Sequence, residues 1–256
     1  MPTIDLNCDL GESFGAWTMG QDAAVLDCIS SANIACGFHA GDPSTMRRTV
    51  AAAVARGVAI GAHPSLPDLQ GFGRREMHIE PDEVHALVVY QVGALMGFAA
   101  AAKVRLRHVK PHGALYNMAA RDAALAEAIA GAVRDVDPSL ILVGLAGSEL
   151  PRAGVQAGLR VAHEGFADRR YRSDGSLVPR RQSGSVIESI DEAVAQALLI
   201  ATEGRAIGAD GQAVSIAADT LCVHGDRPDA AQFARRLRDA LRAAGVEIVN
   251  AQGATA

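Results

Sequence analysis

Seven short apolar runs recur along the chain: TIDLNC (3–8), NIACGF (33–38), VAIGAH (58–63), RLRHVK (105–110), LILVGL (140–145), LRVAHE (159–164) and TLCVHG (220–225). Each has strand length, and each is followed by an Ala-, Leu- and Arg-rich stretch whose apolar residues fall at helical spacing. Punctuation supports the alternation. Asp42 reads as an N-cap with Pro43 at the first helical position, and Pro228 opens the last helix after Asp226 and Arg227. ARG at 55–57 and RAAG at 242–245 end two helices on glycine. The most apolar stretch, Val84 to Val104, is interrupted by His85, Tyr90 and Gln91, and predicts a long buried helix rather than a membrane span.

Seven β–α units without a break in composition predict one domain over residues 1–256, a seven-stranded parallel β/α barrel. A doubly wound open sheet is the alternative, weakened by the lack of G-x-G-x-x-G after the first strand. Two connections, 64–79 and 165–188, are long for loops between a strand and a helix.

Parallel strands covered on both sides usually read as unbroken Val/Ile/Leu runs, and several of these do not. Side chains alternate across a strand. Asp5, Asn7 and Asp9 therefore oppose Ile4, Leu6, Cys8 and Leu10, while Asn33, Ala35, Gly37 and His39 oppose Ile34, Cys36 and Phe38. Ala59, Gly61 and His63 oppose Val58 and Ile60, and Thr220, Cys222 and His224 oppose Leu221 and Val223. In the fourth strand the pattern is weaker, because Leu106 shares parity with His108 and Lys110. The apolar face should meet the helices and the polar face should point into the barrel. Asp9, His39, His63, Lys110, His112, Glu164 and His224 sit at or just past strand C-terminal ends, where barrel enzymes keep their sites. A wet site costs less than burying so many ionisable groups unpartnered.

Composition narrows the function. The 256 residues carry a formal net charge of −5 and 4% aromatics, which disfavours a nucleic-acid binder. Cys8, Cys28, Cys36 and Cys222 form no C-x-x-C pair, and read as reduced thiols packed as small apolar groups in a cytoplasmic protein. The acidic start MPTIDLNCDLGE lacks the marks of a signal peptide. G-x-x-x-x-G-K-[ST], G-x-S-x-G and H-E-x-x-H are absent.

Each candidate has a plainer reading. A lone strand-end histidine is usually a satisfied structural group; five of them (39, 63, 112, 163 and 224) point to chemistry. Asp9 and Glu12 suit acid–base work or metal binding, or else cap the turn at Gly11. Lys110 suits an oxyanion or phosphate, or else an internal salt bridge. Arg74 and Arg75 in the first long loop, and Arg170 among the arginines of the second, suit an anionic substrate, although most surface arginines are merely solvated.

The segments DLNCDLGESFGAW (5–17), ANIACGFHAGDP (32–43), GAHPSLPDLQGFGRR (61–75), VKPHGALYN (109–117), EGFADRRY (164–171) and DTLCVHGD (219–226) resemble the LamB/YcsF family over nearly the whole chain. The resemblance implies a barrel related to sugar deacetylases. It also implies ATP-dependent opening of 5-oxo-L-proline to L-glutamate, with ADP and phosphate released, by a 5-oxoprolinase that includes partner subunits B and C.

A lactam is a stable amide, and phosphorylation of its oxygen would open it to attack by water. That chemistry needs a cation near the oxygen, a base, and ATP with Mg²⁺. The residues suggest Lys110 with His112 for the charge, Asp9 or Glu164 as base, and His39 and His63 for substrate or a divalent metal. Asn7, Glu12, His224, Arg74, Arg75 and Arg170 are expected to bind substrate or nucleotide. Two other readings remain open: an ATP-independent, metal-dependent amide hydrolase or deacetylase, and a non-catalytic lactam-binding subunit. Neither nucleic acid nor membrane is expected as a partner, and a homo-oligomer is compatible with the chain.

Overall fold

The structure, a computed structural model, describes residues 1–223, 229–251 and 253. Every predicted run yields a strand: β1 (Thr3–Leu10), β2 (Ser31–Ala35), β3 (Ala59–His63), β4 (His108–Val109), β5 (Ile141–Leu145) and β6 (Arg160–Phe166). A small antiparallel pair follows, β7 (Arg205–Ile207) and β8 (Ala213–Ser215), before the seventh predicted strand, β9 (Thr220–Val223). The barrel strands pair in parallel and in chain order, and β9 pairs with both β6 and β1. The sheet therefore closes on itself, as a seven-stranded parallel barrel and not an open sheet. β10 (Glu247–Ile248) adds a short parallel pairing at the N-terminal end of β1.

Around the barrel run α1 (Asp22–Leu26), α2 (Pro43–Val54), α3 (Pro81–Ala101), α4 (Gly113–Ala119), α5 (Ala123–Val136), α6 (Glu149–Gln156), α7 (Ile190–Glu203) and α8 (Ala230–Ala243). Asp42 caps α2 as its sequence predicts: Oδ1 accepts from the Ser44 amide at 2.8 Å and the Thr45 amide at 3.1 Å, with Pro43 in the first turn. Pro228 and its neighbours Asp226 and Arg227 lie outside the described residues.

Three expectations change. β2 starts two residues early and stops at Ala35, because Gly37 takes φ +100° and turns the backbone out of the strand. β4 shrinks to two residues: 105–107 fall outside the strand, and past Lys110 Pro111 has no amide to add to the ladder. α3 is buried on one face only, through Val84, Val88, Gln91, Val92, Leu95 and Ala99. Its outer side carries Ala86, Gly93, Gly97 and Ala100, so it reaches a length and mean hydropathy compatible with a membrane span while lying in the barrel's helical ring.

The apolar faces of the strands make the core. Ile4, Leu6, Cys8 and Leu10 are all 1% exposed or less. Inside the barrel, the floor on the β5–β6 side is apolar, with Ile141, Val143 and Ala162 packed against Ala251, and Gly253 close by. The rest of the interior is largely polar, with Leu145 and Phe166 among its apolar members. There Gly61 of β3 pairs with His108 of β4 in register, and a methyl group at Gly61 would sit 2.1 Å from His108 Nε2. The imidazole fits because its neighbour has no side chain.

Gly61→Ala should cost about 1–3 kcal/mol by displacing His108 from this slot. Gly93→Ala, on the open face of α3 where a new methyl meets nothing within 4 Å, should stabilise by about 1 kcal/mol. Urea unfolding of both variants checks the pair, and equal effects would contradict the packing described.

Candidate active site

The polar interior forms two layers. In the lower one, Asp5 accepts from the hydroxyls of Ser30 and Ser31 at 2.7 Å and Thr220 at 2.5 Å. Asn7 donates from Nδ2 to Thr220 Oγ1 at 2.7 Å and to Glu164 Oε1 at 2.9 Å. Its Oδ1 accepts from Asn33 Nδ2 at 2.7 Å and from Lys110 Nζ at 3.1 Å. Asn33 Nδ2 also donates to Asp9 Oδ1 at 2.9 Å, and Asn33 Oδ1 accepts from His108 Nε2 at 2.7 Å. Lys110 ties the layer together: Nζ lies 2.7 Å from Glu164 Oε1, 3.2 Å from Asp9 Oδ1 and 3.1 Å from Cys222 Sγ.

The upper layer holds Asp9 Oδ2, Glu12, His39, His63 and His112. Asp9 is the carboxylate that reaches solvent, its side chain 14% exposed against 0% for Glu164. His63 Nδ1 donates to the Lys110 carbonyl at 2.7 Å, and its Nε2 lies 3.3 Å from Asp9 Oδ2. His112 Nε2 donates to the Phe72 carbonyl at 2.9 Å, and its Nδ1 lies 2.9 Å from His63 Nε2. His39 Nε2 meets Glu12 Oε1 at 3.3 Å, and the His39 ring stacks on His112 at 3.8 Å.

The 64–77 loop closes over these rings. Phe72 takes φ +55°, an uncommon conformation for an aromatic residue, and in it presents its carbonyl to His112. Gly73, at φ +64°, lies against His39, His112 and Ser65 so closely that a methyl there would sit 2.2 Å from Ser65 Oγ. The Asp68 carboxylate grips Arg75 and the amides of Gly71 and Arg75, fixing the loop's fold.

Burial and charge oppose each other here. Burial alone would push Asp9 up, but His63 and Lys110 outweigh it and hold the carboxyl well below the usual range. Burial alone would push Lys110 down, but Asp9, Cys222 and Glu164 raise it well above the ordinary lysine value. Burial pushes His39 and His112 well down, reinforced by the neighbouring histidines, so both imidazoles are neutral at pH 7. Glu12, His39, His63 and His112 each bring a donor atom within 4.8 Å of the others, a buried cluster of the kind that can bind a metal ion.

A model of the LamB/YcsF family matches residues 4–256. The chain belongs to that family. Among its relatives, the 5-oxoprolinase A subunit of Bordetella pertussis is 63% identical over 247 residues, covering 96% of this chain and 98% of that protein. The Bacillus subtilis protein of the same name is 59% identical over 245 residues, covering 96% and 95% respectively. The crystal structure of the lactam utilization protein from Thermus thermophilus superposes with a TM-score of 0.92 at 50% identity, covering 97% of this chain and 99% of that one.

In this LamB/YcsF chain, Asn7, Asp9, Glu12, His39, His63, Lys110, His112 and Glu164 come together as one buried assembly. His224 lies outside the described residues. Arg74 sits near the upper layer, its guanidinium 4.9 Å from the Phe72 ring centroid, and its charge contributes to lowering His39. Arg75 is committed to Asp68, and Arg170 pairs with Glu192 of α7 at 2.7 Å, so neither joins the assembly. His163 points the other way, because it alternates with Glu164 along β6; its amide donates to Asp219. Strand parity in the sequence puts Asp5, Asn33, His108, Thr220 and Cys222 on inward faces without giving them a task. All five build the lower layer.

The four cysteines of this family member are buried. Burial pushes the Cys8 and Cys222 thiols well up and Cys36 to about 12, and at Cys222 it prevails over the adjacent Lys110 charge. The thiolate is the reactive form. The native chain at pH 8 should therefore show no fast-reacting thiol toward an aromatic disulfide reagent, with all four reacting after denaturation. A rapidly titrating thiol in the folded protein would contradict this burial.

Proposed function

We propose that this chain belongs to an ATP-dependent 5-oxoprolinase in which 5-oxo-L-proline is opened to L-glutamate, in the cytoplasm and together with subunits B and C. The relatives at about 60% identity over almost their full length bear the name of the 5-oxoprolinase A subunit, and the Thermus structure is that of a lactam utilization protein. The observation that carries the reading to the chemistry is the Lys110 bridge between Asp9 and Glu164 at the open end of the barrel. It keeps Asp9 ionised beside the cavity, where the carboxylate orients a water and takes its proton.

A carboxylate held that acidic is a weak base, and a weak base does not hydrolyse an unactivated lactam at a useful rate. Activation supplies the difference. ATP, as its Mg²⁺ complex, phosphorylates the amide oxygen and leaves as ADP. Water adds to the activated carbon, the C–N bond breaks and the ring nitrogen leaves as the amine. The resulting acyl phosphate is hydrolysed by a second water to glutamate and phosphate. Glu12, His39, His63 and His112 line the space beside Asp9, and the charge on Arg74 favours an anionic ligand near that mouth.

The test is glutamate formation from 5-oxo-L-proline, with and without ATP, by this chain alone and with both partner subunits. Glutamate should appear only with ATP and the complete set. Asp9→Asn keeps the side chain's shape and its acceptor for Asn33 and Lys110, and should lower turnover by ~10²–10⁴-fold. Lys110→Met should lower it at least as far. ATP-independent glutamate from the isolated chain would overturn the ATP-coupled reading, and near-normal turnover in Asp9→Asn would remove that residue from the reaction.

A further inference from the structure

In the upper layer of the polar interior, two histidine ring nitrogens are left in close contact with each other. A carbonyl oxygen only accepts, so the Lys110 carbonyl places a proton on His63 Nδ1, and the Phe72 carbonyl places one on His112 Nε2. That leaves His63 Nε2 and His112 Nδ1 as the ring nitrogens turned toward each other. These two nitrogens are 2.9 Å apart. Asp9 Oδ2 lies 3.3 Å from the first, and Glu12 Oε1 lies 3.6 Å from the second. Two ring nitrogens and one carboxylate oxygen thus converge, with the Asp9 carboxylate beside His63.

We propose that Glu12, His63 and His112, with Asp9 beside them, bind one divalent transition-metal ion. Tetrahedral coordination with bonds of about 2.1 Å spaces donor atoms about 3.4 Å apart. The separations of 2.9 Å, 3.3 Å and 3.6 Å bracket that value. The two imidazole planes cross at 84°, so both lone pairs can meet in one position.

His39 plays a different part. Its ring lies parallel to His112 within 4° at 3.8 Å, so an ion in the plane of one ring is out of the plane of the other. His39 instead donates from Nε2 to Glu12 Oε1 and orients that carboxylate, while its Nδ1 is buried without a hydrogen-bond partner. Two imidazole nitrogens select zinc-like ions over magnesium or calcium, which prefer all-oxygen shells. Such an ion would polarise a bound water and relieve the weakly basic Asp9 of part of its task.

The readout is metal binding by the full chain after chelator treatment, and it is independent of which lactam is the substrate. Co²⁺ should bind at one equivalent with visible absorption bands, and Zn²⁺ but not Mg²⁺ should displace it. His112→Gln should weaken Co²⁺ binding at least ~100-fold, and His39→Gln about 10-fold to 100-fold, as for a group that orients a ligand. Glu12→Gln serves as a second ligand variant should His112→Gln fail to fold. Absent or non-stoichiometric Co²⁺ binding overturns the site and leaves the 2.9 Å contact to a shared proton. Binding that is unaltered in the ligand variants overturns it equally.

Discussion

One ammonium group organises the interior of this barrel. Lys110 enters from the end of β4 and meets Asn7 and Asp9 of β1, Glu164 of β6 and Cys222 of β9. A buried charge without partners is among the costliest features a fold can carry, and a buried pair is tolerable only when its remaining polar atoms are also satisfied. The structure meets most of that demand by linking Lys110 to Asn7 and, through it, to Asn33, His108, Thr220 and Asp5. Removing one charged partner from such a set typically costs about 3–5 kcal/mol, so the polar cluster and the barrel's closure depend on the same contacts.

The asymmetry of the interior follows. Where β1, β2, β3, β4 and β9 face inward, most side chains hydrogen-bond to one another, with Ala35, Ala59 and Gly61 between them. Where β5 and the start of β6 face inward, they are Ile141, Val143 and Ala162. The helices outside are indifferent to this division, because they see only the apolar parity of each strand. Fold and site therefore share one segment of chain on alternate residues, and glycine at position 61 is the concession that lets a large ring occupy the polar parity.

Much of this is legible in sequence because alternation is local. Asp5, Asn7 and Asp9 announce an inward polar face in eight residues, and the seven repeats announce a closed barrel. The parity that brings Glu164 in also turns His163 out, so counting strand-end histidines without following parity overstates the cluster. Arg75 is less readable: its partner Asp68 lies seven residues back in the same loop, and only the folded loop shows that the guanidinium is taken. The protonation pattern of His63 and His112 is not readable at all, since it is imposed by two carbonyls from other segments, one of them on a strained phenylalanine. The β7–β8 hairpin is three residues a side, too short for its pattern to stand out.

The apolar floor has a consequence for traffic. With Ala251 packed beneath β5 and β6, and Gly253 against Ile141 and Arg160, the tunnel is plugged at its base among the described residues. A ligand of the polar interior would therefore enter and leave at the opposite end, where β1 leads to Glu12 and β3 to the 64–77 loop.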